Sequence, residues 1–311
     1  MDNLLKNKQT TNMNRRLFFL PLASLLLLLG SCSTEVDPLE NAFAVPYSTT
    51  AFVAYPDGSA SICDTRYVLT NYPMAGTCVL NSTGVVVGDQ TCSFTTDQMP
   101  YTSSLLAGGL TEQKFSGGSA MWNETPITGI TCLIPSQKAN VSDRTEVTVP
   151  GYPSSAETAF FLSYAVGDLA NVRTFMSDAC YVGSTQTIYS YNGDNKTYSN
   201  ADVIYRVCFK QAHKKADLLI YHAKFAEEQP EIQAMLLKDL DVTINANGYT
   251  IRNNSGDIVP EVYEAGELIP NARYPFNSIV ISSSNEQLSE VSIIFTVAGS
   301  FQGTFRGTSY L

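Results

Sequence analysis

The sequence is poor in the residues that most catalytic and metal sites require. Its 311 residues include only two histidines, His213 and His222, and one tryptophan, Trp122. No Gly-x-Ser-x-Gly motif marks a nucleophilic serine, and no glycine-rich phosphate loop occurs. The seven cysteines contain no Cys-x-x-Cys pair, so a zinc site is not expected. We therefore predict a protein without a cofactor or metal, and without enzymatic activity.

One cluster of carboxylates keeps a hydrolase as the third hypothesis. Hydrolysis of a glycosidic bond needs two carboxyl groups about 5 to 10 Å apart across a cleft. A carboxylate run in an acidic chain is usually a solvated loop, and sequence spacing alone does not make a catalytic pair. The candidate residues are Glu227, Glu228, Glu231, Asp239 and Asp241.

The N-terminus carries an export signal. Arg15-Arg16 precedes an apolar run from Leu17 to Leu29, which is followed by Gly30-Ser31-Cys32. This run has 13 residues, whereas a membrane-spanning helix needs about 20. A basic segment, a short apolar segment and small residues before a cysteine are typical of a bacterial lipoprotein signal, so we predict a signal peptide over residues 1–31 and lipidation of Cys32. Met13 fits the start of this signal, and the paired arginines leave a twin-arginine export motif as the minor alternative.

The predicted mature chain is acidic. Residues 32–41 have the polar, proline-containing composition of a tether. Removal of residues 1–31 takes away four basic residues and one acidic residue, which leaves 15 basic and 28 acidic residues and a net charge of −13. Because such a surface repels phosphate groups, a nucleic-acid partner is not expected. Ser33 after the lipidated cysteine favours the outer membrane, with the chain attached through its lipid (palmitate) anchor.

The length and the turn residues predict two β domains. The mature chain has 280 residues, more than one core usually supports. Residues 151–156 are rich in Gly, Pro and Ser, so we place the boundary there, between an N-terminal β domain over 42–150 and a C-terminal one over 156–311. Short β-branched runs separated by turn residues predict a mainly β fold class, with two antiparallel β-barrel or β-sandwich domains and few short helices.

Two hairpins can be assigned from their turns. Asn192-Gly193 and Asn247-Gly248 each lie between alternating strands, and Asn-Gly supplies the positive φ angles that tight turns require. Pro230 is predicted to begin a single helical turn that ends at Leu237. The apolar run from Ala159 to Leu169 fits either a short helix or a strand.

Six cysteines follow Cys32, and disulfides are permitted in an exported chain. Buried thiols explain most of them equally well. A turn centred on Asp194 would place Cys180 directly opposite Cys208, within disulfide range. A two-residue turn at Asn192-Gly193 would move this pair out of register unless a bulge restores it. The six residues are Cys63, Cys78, Cys92, Cys132, Cys180 and Cys208.

The C-terminal half, Tyr181 to Leu311, resembles the lipid-anchored calycin-like (lipocalin-like) β-barrel domains of Bacteroidetes. The N-terminal half, with Asn71-Tyr72-Pro73-Met74, is similar to a diverged relative of these domains. The two-domain layout also resembles fimbrillin-type pilus subunits, as a second choice. The motifs that carry the first resemblance are Tyr181-Val182-Gly183, Asn192-Gly193, Asp217-Leu218-Leu219-Ile220, Phe225-Ala226, Pro230-Glu231-Ile232 and Phe301-x-Gly303-x-Phe305-x-Gly307.

These patterns lead to one expected function and two alternatives. The resemblance implies an envelope lipoprotein that binds a small apolar or glycan ligand in a β-barrel. The first alternative is an assembly or adhesion subunit with a protein partner in the envelope, and the second is the glycan hydrolase. A cavity lined by aromatic side chains would favour ligand binding, whereas an exposed edge strand would favour assembly. The sequence does not identify the ligand residues.

Overall fold

The computed structural model describes residues 41–105, 111–135, 148–153 and 159–309. The described residues form strands and turns, with no helix among them. They build two antiparallel sheets of ten strands each. The mainly β fold class is therefore confirmed. The predicted signal peptide, Cys32 and all but the last residue of the tether lie outside the described residues.

The first ten strands belong to the first sheet. They are β1 (Phe43–Ala54), β2 (Ala60–Tyr72), β3 (Thr77–Val87), β4 (Gln90–Thr95), β5 (Met99–Leu105), β6 (Thr111–Ser116), β7 (Ala120–Trp122), β8 (Thr125–Pro135), β9 (Phe161–Val166) and β10 (Ala170–Phe175). Eight of them close into a barrel in the order β1, β2, β3, β5, β6, β8, β9, β10 and back to β1. The short strands β4 and β7 pair with β3 and β8 outside this ring.

The second ten strands repeat this architecture. They are β11 (Asp178–Tyr191), β12 (Asp194–Lys210), β13 (Lys215–Ala223), β14 (Ile232–Asn245), β15 (Gly248–Arg252), β16 (Glu261–Glu264), β17 (Glu267–Pro270), β18 (Phe276–Ser284), β19 (Glu290–Val297) and β20 (Phe301–Thr308). The barrel runs in the order β11, β12, β13, β14, β15, β18, β19, β20 and back to β11. The β16–β17 hairpin is attached to β14.

Barrels rather than sandwiches form because each barrel strand pairs on both sides. In the first sheet β1 pairs with both β2 and β10, and in the second sheet β11 pairs with both β12 and β20. Closure leaves no long strand edge exposed to water. The unpaired edges of the described residues therefore belong to the short strands β4, β7 and β17.

The predicted hairpins are present. Asn192 and Gly193 have φ angles of 54° and 88°, and Tyr191 pairs with Asp194 across a two-residue turn. Asn245 pairs with Gly248 at the β14–β15 turn. The run from Ala159 to Leu169 contains the strand β9, whose side chains alternate between half-buried and buried.

The predicted helical turn from Pro230 to Leu237 is wrong, because β14 begins at Ile232. Four successive residues of this strand are buried, which a strand achieves only when both of its faces are covered. Met235 and Leu237 face the interior of the second barrel, while Ala234 and Leu236 join a separate apolar cluster outside its wall. An apolar run covered on both faces has no period of two, so its periodicity resembles that of a short buried helix.

The change from the first sheet to the second comes between Phe175 and Asp178. The predicted boundary at residues 151–156 lies earlier, and residues 154–158 fall outside the described part of the chain. Strands β9 and β10 follow this segment and complete the first barrel by pairing with β8 and β1. A barrel needs its last strand to return to its first, so turn residues before the final strands do not end it.

Candidate functional site

The two barrels meet through the outer face of β1. Ala51 and Val53 point into the first barrel, whereas Phe52 and Ala54 point outward into the core of the second. Phe175 from β10 also lies in that core, with its ring centroid 5.6 Å from that of Phe209 and 5.8 Å from that of Tyr249. The barrels therefore belong to one compact unit with a shared apolar interface.

Polar contacts surround this interface. Arg173 donates a hydrogen bond to the carbonyl of Asn285, and the amide of Ala246 donates to the carbonyl of Gly58 at 3.1 Å. The carboxylate of Asp64 on β2 lies 3.3 Å from Nε2 of His213 on the β12–β13 turn. These contacts fix the first barrel against the second along the edge of the apolar contact.

A cleft of about 870 Å³ opens beside the shared interface, and we call it the inter-barrel cleft. Its volume lies within the range of about 300 to 1,000 Å³ that is typical of ligand sites. One wall comes from β1, β2 and β3, and the other from the start of β11, from β12 and from Pro153. Its polar lining includes Ser48, Thr50, Asp64, Arg66, Thr83, Ser177, Asp178 and Arg206.

The strand register explains why these polar residues share one wall. Ser48 pairs with Arg66 and Thr50 with Asp64, so the four side chains lie on the same face of β1 and β2. This face continues into the apolar interface through Phe52, two residues beyond Thr50. The outer face of β1 is thus polar where it borders the cleft and apolar where the second barrel covers it.

The opposite wall contains a buried ion pair. Arg206 donates from Nε to Oδ1 of Asp178 and from Nη2 to Oδ2, both at 2.6 Å. The thiol of Cys208 also donates to Oδ1 at 3.2 Å. The arginine side chain is 2% exposed, whereas the carboxylate side chain is 34% exposed. Arg206 therefore holds the Asp178 carboxylate in one orientation at the surface of the cleft.

The electrostatics of this pair follow from its position. Burial alone would lower the pKa of Arg206, but its hydrogen bonds to the charged Asp178 raise that pKa above its usual value. Burial, together with the neighbouring carboxylate, raises the pKa of the Cys208 thiol. Arg206 is thus a permanent cation, and Cys208 is a neutral thiol rather than a nucleophile.

Residues 148–153, which we call the strap, cross the outer wall of the second barrel beside this ion pair. Val149 is buried in the outer apolar cluster together with Leu219, Tyr221 and Leu236. The hydroxyl of Tyr152 donates to Oδ2 of Asp217 at 2.5 Å. Burial and this bond raise the pKa of Tyr152.

The carboxylate that receives the strap is itself buried. Asp217 is 4% exposed, and its Oδ1 accepts hydrogen bonds from the amide of Asp239 at 2.8 Å and pairs with Nζ of Lys210 at 2.6 Å. Together with Tyr152, these contacts satisfy both of its oxygens.

A second cleft of about 510 Å³ is lined by Pro150 to Pro153 of the strap, and we call it the strap cleft. It shares Pro153, Asp178 and Arg206 with the inter-barrel cleft. The rest of its lining includes Tyr152, Phe209, Lys210, Asp217, Lys238 and Leu268.

Aromatic side chains fill the interior of the second barrel. The centroid of the Tyr205 ring lies 4.2 Å from that of Phe305, and that of Phe225 lies 5.6 Å from that of Phe295. A Cβ atom on Gly303 would overlap the Phe295 ring, so the glycine is required for that ring to fit. The aromatic residues expected to line a ligand cavity thus pack against one another.

The cysteine register differs from direct opposition. Cys180 pairs with Arg206 and Cys208 with Asp178, so the two cysteines are offset by two residues. The turn is the two-residue form at Asn192-Gly193, and a bulge between Gly183 and Thr185 shifts the register by only one residue. Both cysteines are thiols in the structure.

Four of the five carboxylates of the hydrolase hypothesis contact separate basic side chains. Glu228 pairs with Lys196 at 2.6 Å, Asp239 with Lys210 at 2.8 Å and Asp241 with Lys215 at 2.5 Å. Glu231 contacts His222 at 2.8 Å, and Glu227 is exposed. The hydrogen bond from Lys196 lowers the pKa of Glu228 to about 2. None of these five residues lines either cleft described above.

The residues that do line the inter-barrel cleft were not identified from the sequence. Asp64 and Arg66 lie on the first barrel and Asp178 and Arg206 on the second, more than 100 positions apart in the chain. The one available signal is Arg206, a single charge between Ile204 and Cys208 on the outward face of a strand. A lone charge among apolar residues marks a buried polar contact more often than a solvated face.

Comparison with known proteins leaves the family open. A scan against protein-family models matches none of them, and a search of curated proteins finds no match. The closed antiparallel barrels are compatible with the calycin-like fold that the C-terminal half resembles. Among the described residues, no group of three or more His, Cys, Asp or Glu side chains is arranged to hold a metal ion. The described part of the chain also contains no helix that is long and apolar enough to cross a membrane.

Proposed function

We propose that this protein is a lipid-anchored binding protein of the bacterial cell envelope, which binds a glycan in the inter-barrel cleft. The observation that carries this proposal is the lining of the cleft. Hydroxyl groups from β1, β2 and β3 and from Ser177 line the same cleft as a carboxylate that a buried arginine holds in place. Hydroxyls both donate and accept hydrogen bonds, which matches a ligand rich in hydroxyl groups.

The charge of the cleft supports a neutral ligand. Asp64 and Arg66 on one wall, and Asp178 and Arg206 on the other, balance each other within an acidic protein. An anionic ligand would meet the net negative surface, and a cationic one would meet Arg66 and Arg206. A neutral glycan avoids both penalties.

The filled second barrel favours a glycan over a small apolar ligand. Its interior aromatic rings contact one another, so an apolar molecule would have to displace them. The inter-barrel cleft is open and contains hydroxyl and charged groups, and it needs no such rearrangement. The assembly alternative receives less support, because within the described part of the chain the strands with an unpaired edge are all short.

The envelope location rests on the N-terminal sequence. The predicted signal peptide and Cys32 would attach the chain to the outer membrane by a lipid. Replacement of Cys32 by Ala is expected to leave an unprocessed precursor without fatty-acid label. Normal maturation and labelling of this variant would contradict the anchor while leaving the glycan proposal in place.

Binding is tested with the full chain in detergent and two series of neutral oligosaccharides, maltose to maltohexaose and mannobiose to mannohexaose. We expect isothermal titration calorimetry to detect binding of at least one series. Arg66→Ala should weaken it at least ~10-fold, because a hydrogen bond to a charged group is worth about 1.5–3 kcal/mol. The matched control is Arg252→Ala, since Arg252 is exposed like Arg66 and lies on β15 outside the cleft.

Two results would overturn the proposal. One is the absence of binding by both series, and the other is equal affinity of the Arg66→Ala variant and the control. The same samples test for catalysis, because Asp64 and Asp178 both line the cleft. We expect chromatography to recover the oligosaccharides intact after prolonged incubation, whereas shorter products would favour the hydrolase alternative.

A further inference from the structure

The inter-barrel cleft and the strap cleft meet at the same three residues. Pro153 of the strap, Asp178 and Arg206 line both of them. The two volumes therefore adjoin at the strap and the ion pair. Each volume on its own lies within the size range of a ligand site.

The ion pair between Asp178 and Arg206, where the two clefts adjoin, is not explained by stability alone. A buried arginine outside a barrel wall costs desolvation energy, and apolar residues of similar size in place of a buried ion pair are often as stable or more stable. The neighbouring outward positions on β12 and β13 are occupied by Ile204, Leu219 and Tyr221, which belong to the outer apolar cluster. A charged pair within this apolar wall, at the point where both clefts meet, is a feature expected of a binding surface.

The two clefts offer different side chains. Most residues that line the inter-barrel cleft carry hydroxyl or charged groups on apolar stems. The strap cleft is lined by Tyr152 and Leu268, together with Lys210 and Lys238. Sugar rings present both hydroxyl edges and apolar C–H faces, so successive units of one chain fit the two surfaces.

We propose that the two clefts form one groove for an extended glycan chain, with the strap cleft binding the units beyond those held between the barrels. This inference rests on the proposed function and names the length of its ligand. The strap is held beside the groove by Val149 and by the bond between Tyr152 and Asp217. The groove thus continues from the first barrel along the outer wall of the second.

The experiment measures how affinity depends on chain length. Titration of the full chain with maltose to maltohexaose, and with mannobiose to mannohexaose, should show at least a ~10-fold gain from the disaccharide to the longest oligomer of the series that binds. A chain that occupies two neighbouring sites gains affinity because its second contact is intramolecular. The gain should reach a plateau once the chain fills both clefts.

Two variants at one position assign the gain to the strap cleft. Lys238 is 43% exposed, and its pairing with Glu261 is of the exposed kind that contributes little to stability. Lys238→Trp should block the cleft and reduce the affinity of the hexamers to that of the disaccharides, while Lys238→Ala should reduce it several-fold. The affinity of the disaccharides should not change in either variant. Lys214→Ala is the control, because Lys214 is exposed and lines neither cleft.

The outcomes separate this inference from the function on which it rests. If disaccharides bind and Arg66→Ala weakens them, but longer oligomers bind no better, the extended groove is wrong and the inter-barrel site stands. A length gain that persists in Lys238→Trp, with an unchanged melting temperature, also overturns the groove. If no oligomer of either series binds, the proposed function itself fails.

Discussion

The two barrels have the same strand number but differ in how their walls are covered. In the first barrel, β3 alternates between buried and more exposed residues along most of its length. This alternation is expected of a strand with one face in the barrel interior and the other toward water. In the second barrel, β13 and β14 each contain at least four successive buried residues. The outer face of these strands lies under an apolar cluster that includes the strap and the β16–β17 hairpin.

This difference places most of the buried apolar side chains around the second barrel. Side chains of β12, β13 and β14 belong to the barrel interior on one face and to the outer apolar cluster on the other. A substitution that distorts one of these strands would therefore affect both clusters. The first barrel contributes the outer face of β1 to the shared interface, together with Ile62 of β2 and Phe175 of β10. We therefore expect substitutions in β12, β13 and β14, which are covered on both faces, to be more destabilising than matched substitutions in first-barrel strands that have one face toward water.

The largest expected effect is the loss of the buried ion pair. Asp178→Ala leaves the charge of Arg206 without its carboxylate in a side chain that is 2% exposed. Removal of one partner of a buried pair costs about 3–5 kcal/mol. We expect urea denaturation to show a loss of this size in the free energy of unfolding. Asp241→Ala is the control, because its pair with Lys215 is about one-third exposed on both sides and should contribute about 0–1 kcal/mol. Equal losses in the two variants would contradict the role of burial.

A smaller effect is expected when leucines on the outward faces of the two barrels are compared. Leu236 on β14 is 1% exposed under the outer cluster, whereas Leu133 on β8 is half-buried. Leu236→Ala should lower the free energy of unfolding by about 2–5 kcal/mol, because it creates a cavity. Leu133→Ala should lower it by about 1 kcal/mol, since its surface is already partly in water. A reversed order in urea denaturation would remove the distinction between the walls.

The filled interior of the second barrel is tested by enlarging Gly303. Gly303→Ala places a methyl group against the Phe295 ring and should cost about 1–3 kcal/mol through overpacking. Phe295→Leu in the same chain should recover part of this loss, because it removes the ring that the methyl group meets. If Gly303→Ala has no effect on the melting temperature, the interior has more room than the structure gives it.

The smallest effect concerns an exposed ion pair on the second barrel. The bond from Lys196 lowers the pKa of Glu228 from 4.5 to about 2, so its stabilising contribution is complete above pH ~4.5 and is lost as the pH falls toward 2. Wild type should therefore be slightly more stable than Glu228→Gln at pH 6, and the difference should shrink between pH 4.5 and 2. Melting temperatures across this range are the measurement. Glu227→Gln, a change at the exposed neighbouring residue, should show no such trend.

Turn chemistry and alternation made the β class and the hairpins predictable. Asn192 and Gly193 have the positive φ angles that a tight Asn-Gly turn requires. The run from Ala159 to Leu169 fitted either a helix or a strand, and its strand β9 shows the alternation expected of a strand. The helical turn after Pro230 was wrong because Ala234 to Leu237 are covered on both faces, and no local pattern reports the second cover. The sequence left the register of Cys180 and Cys208 open between two turn types, because the size of a bulge depends on the neighbouring strands.

The sequence by itself determined the mainly β class of the protein, and it predicts an N-terminal export signal. Strand alternation and turn residues are local features, so a single chain records them directly. Only the tertiary structure decided that the sheets close into barrels, that the first barrel continues to Phe175, and that Asp64 and Arg66 face Asp178 and Arg206 across one cleft. These features depend on contacts between residues far apart in the chain, because a site between two barrels exists only after both have closed and packed together.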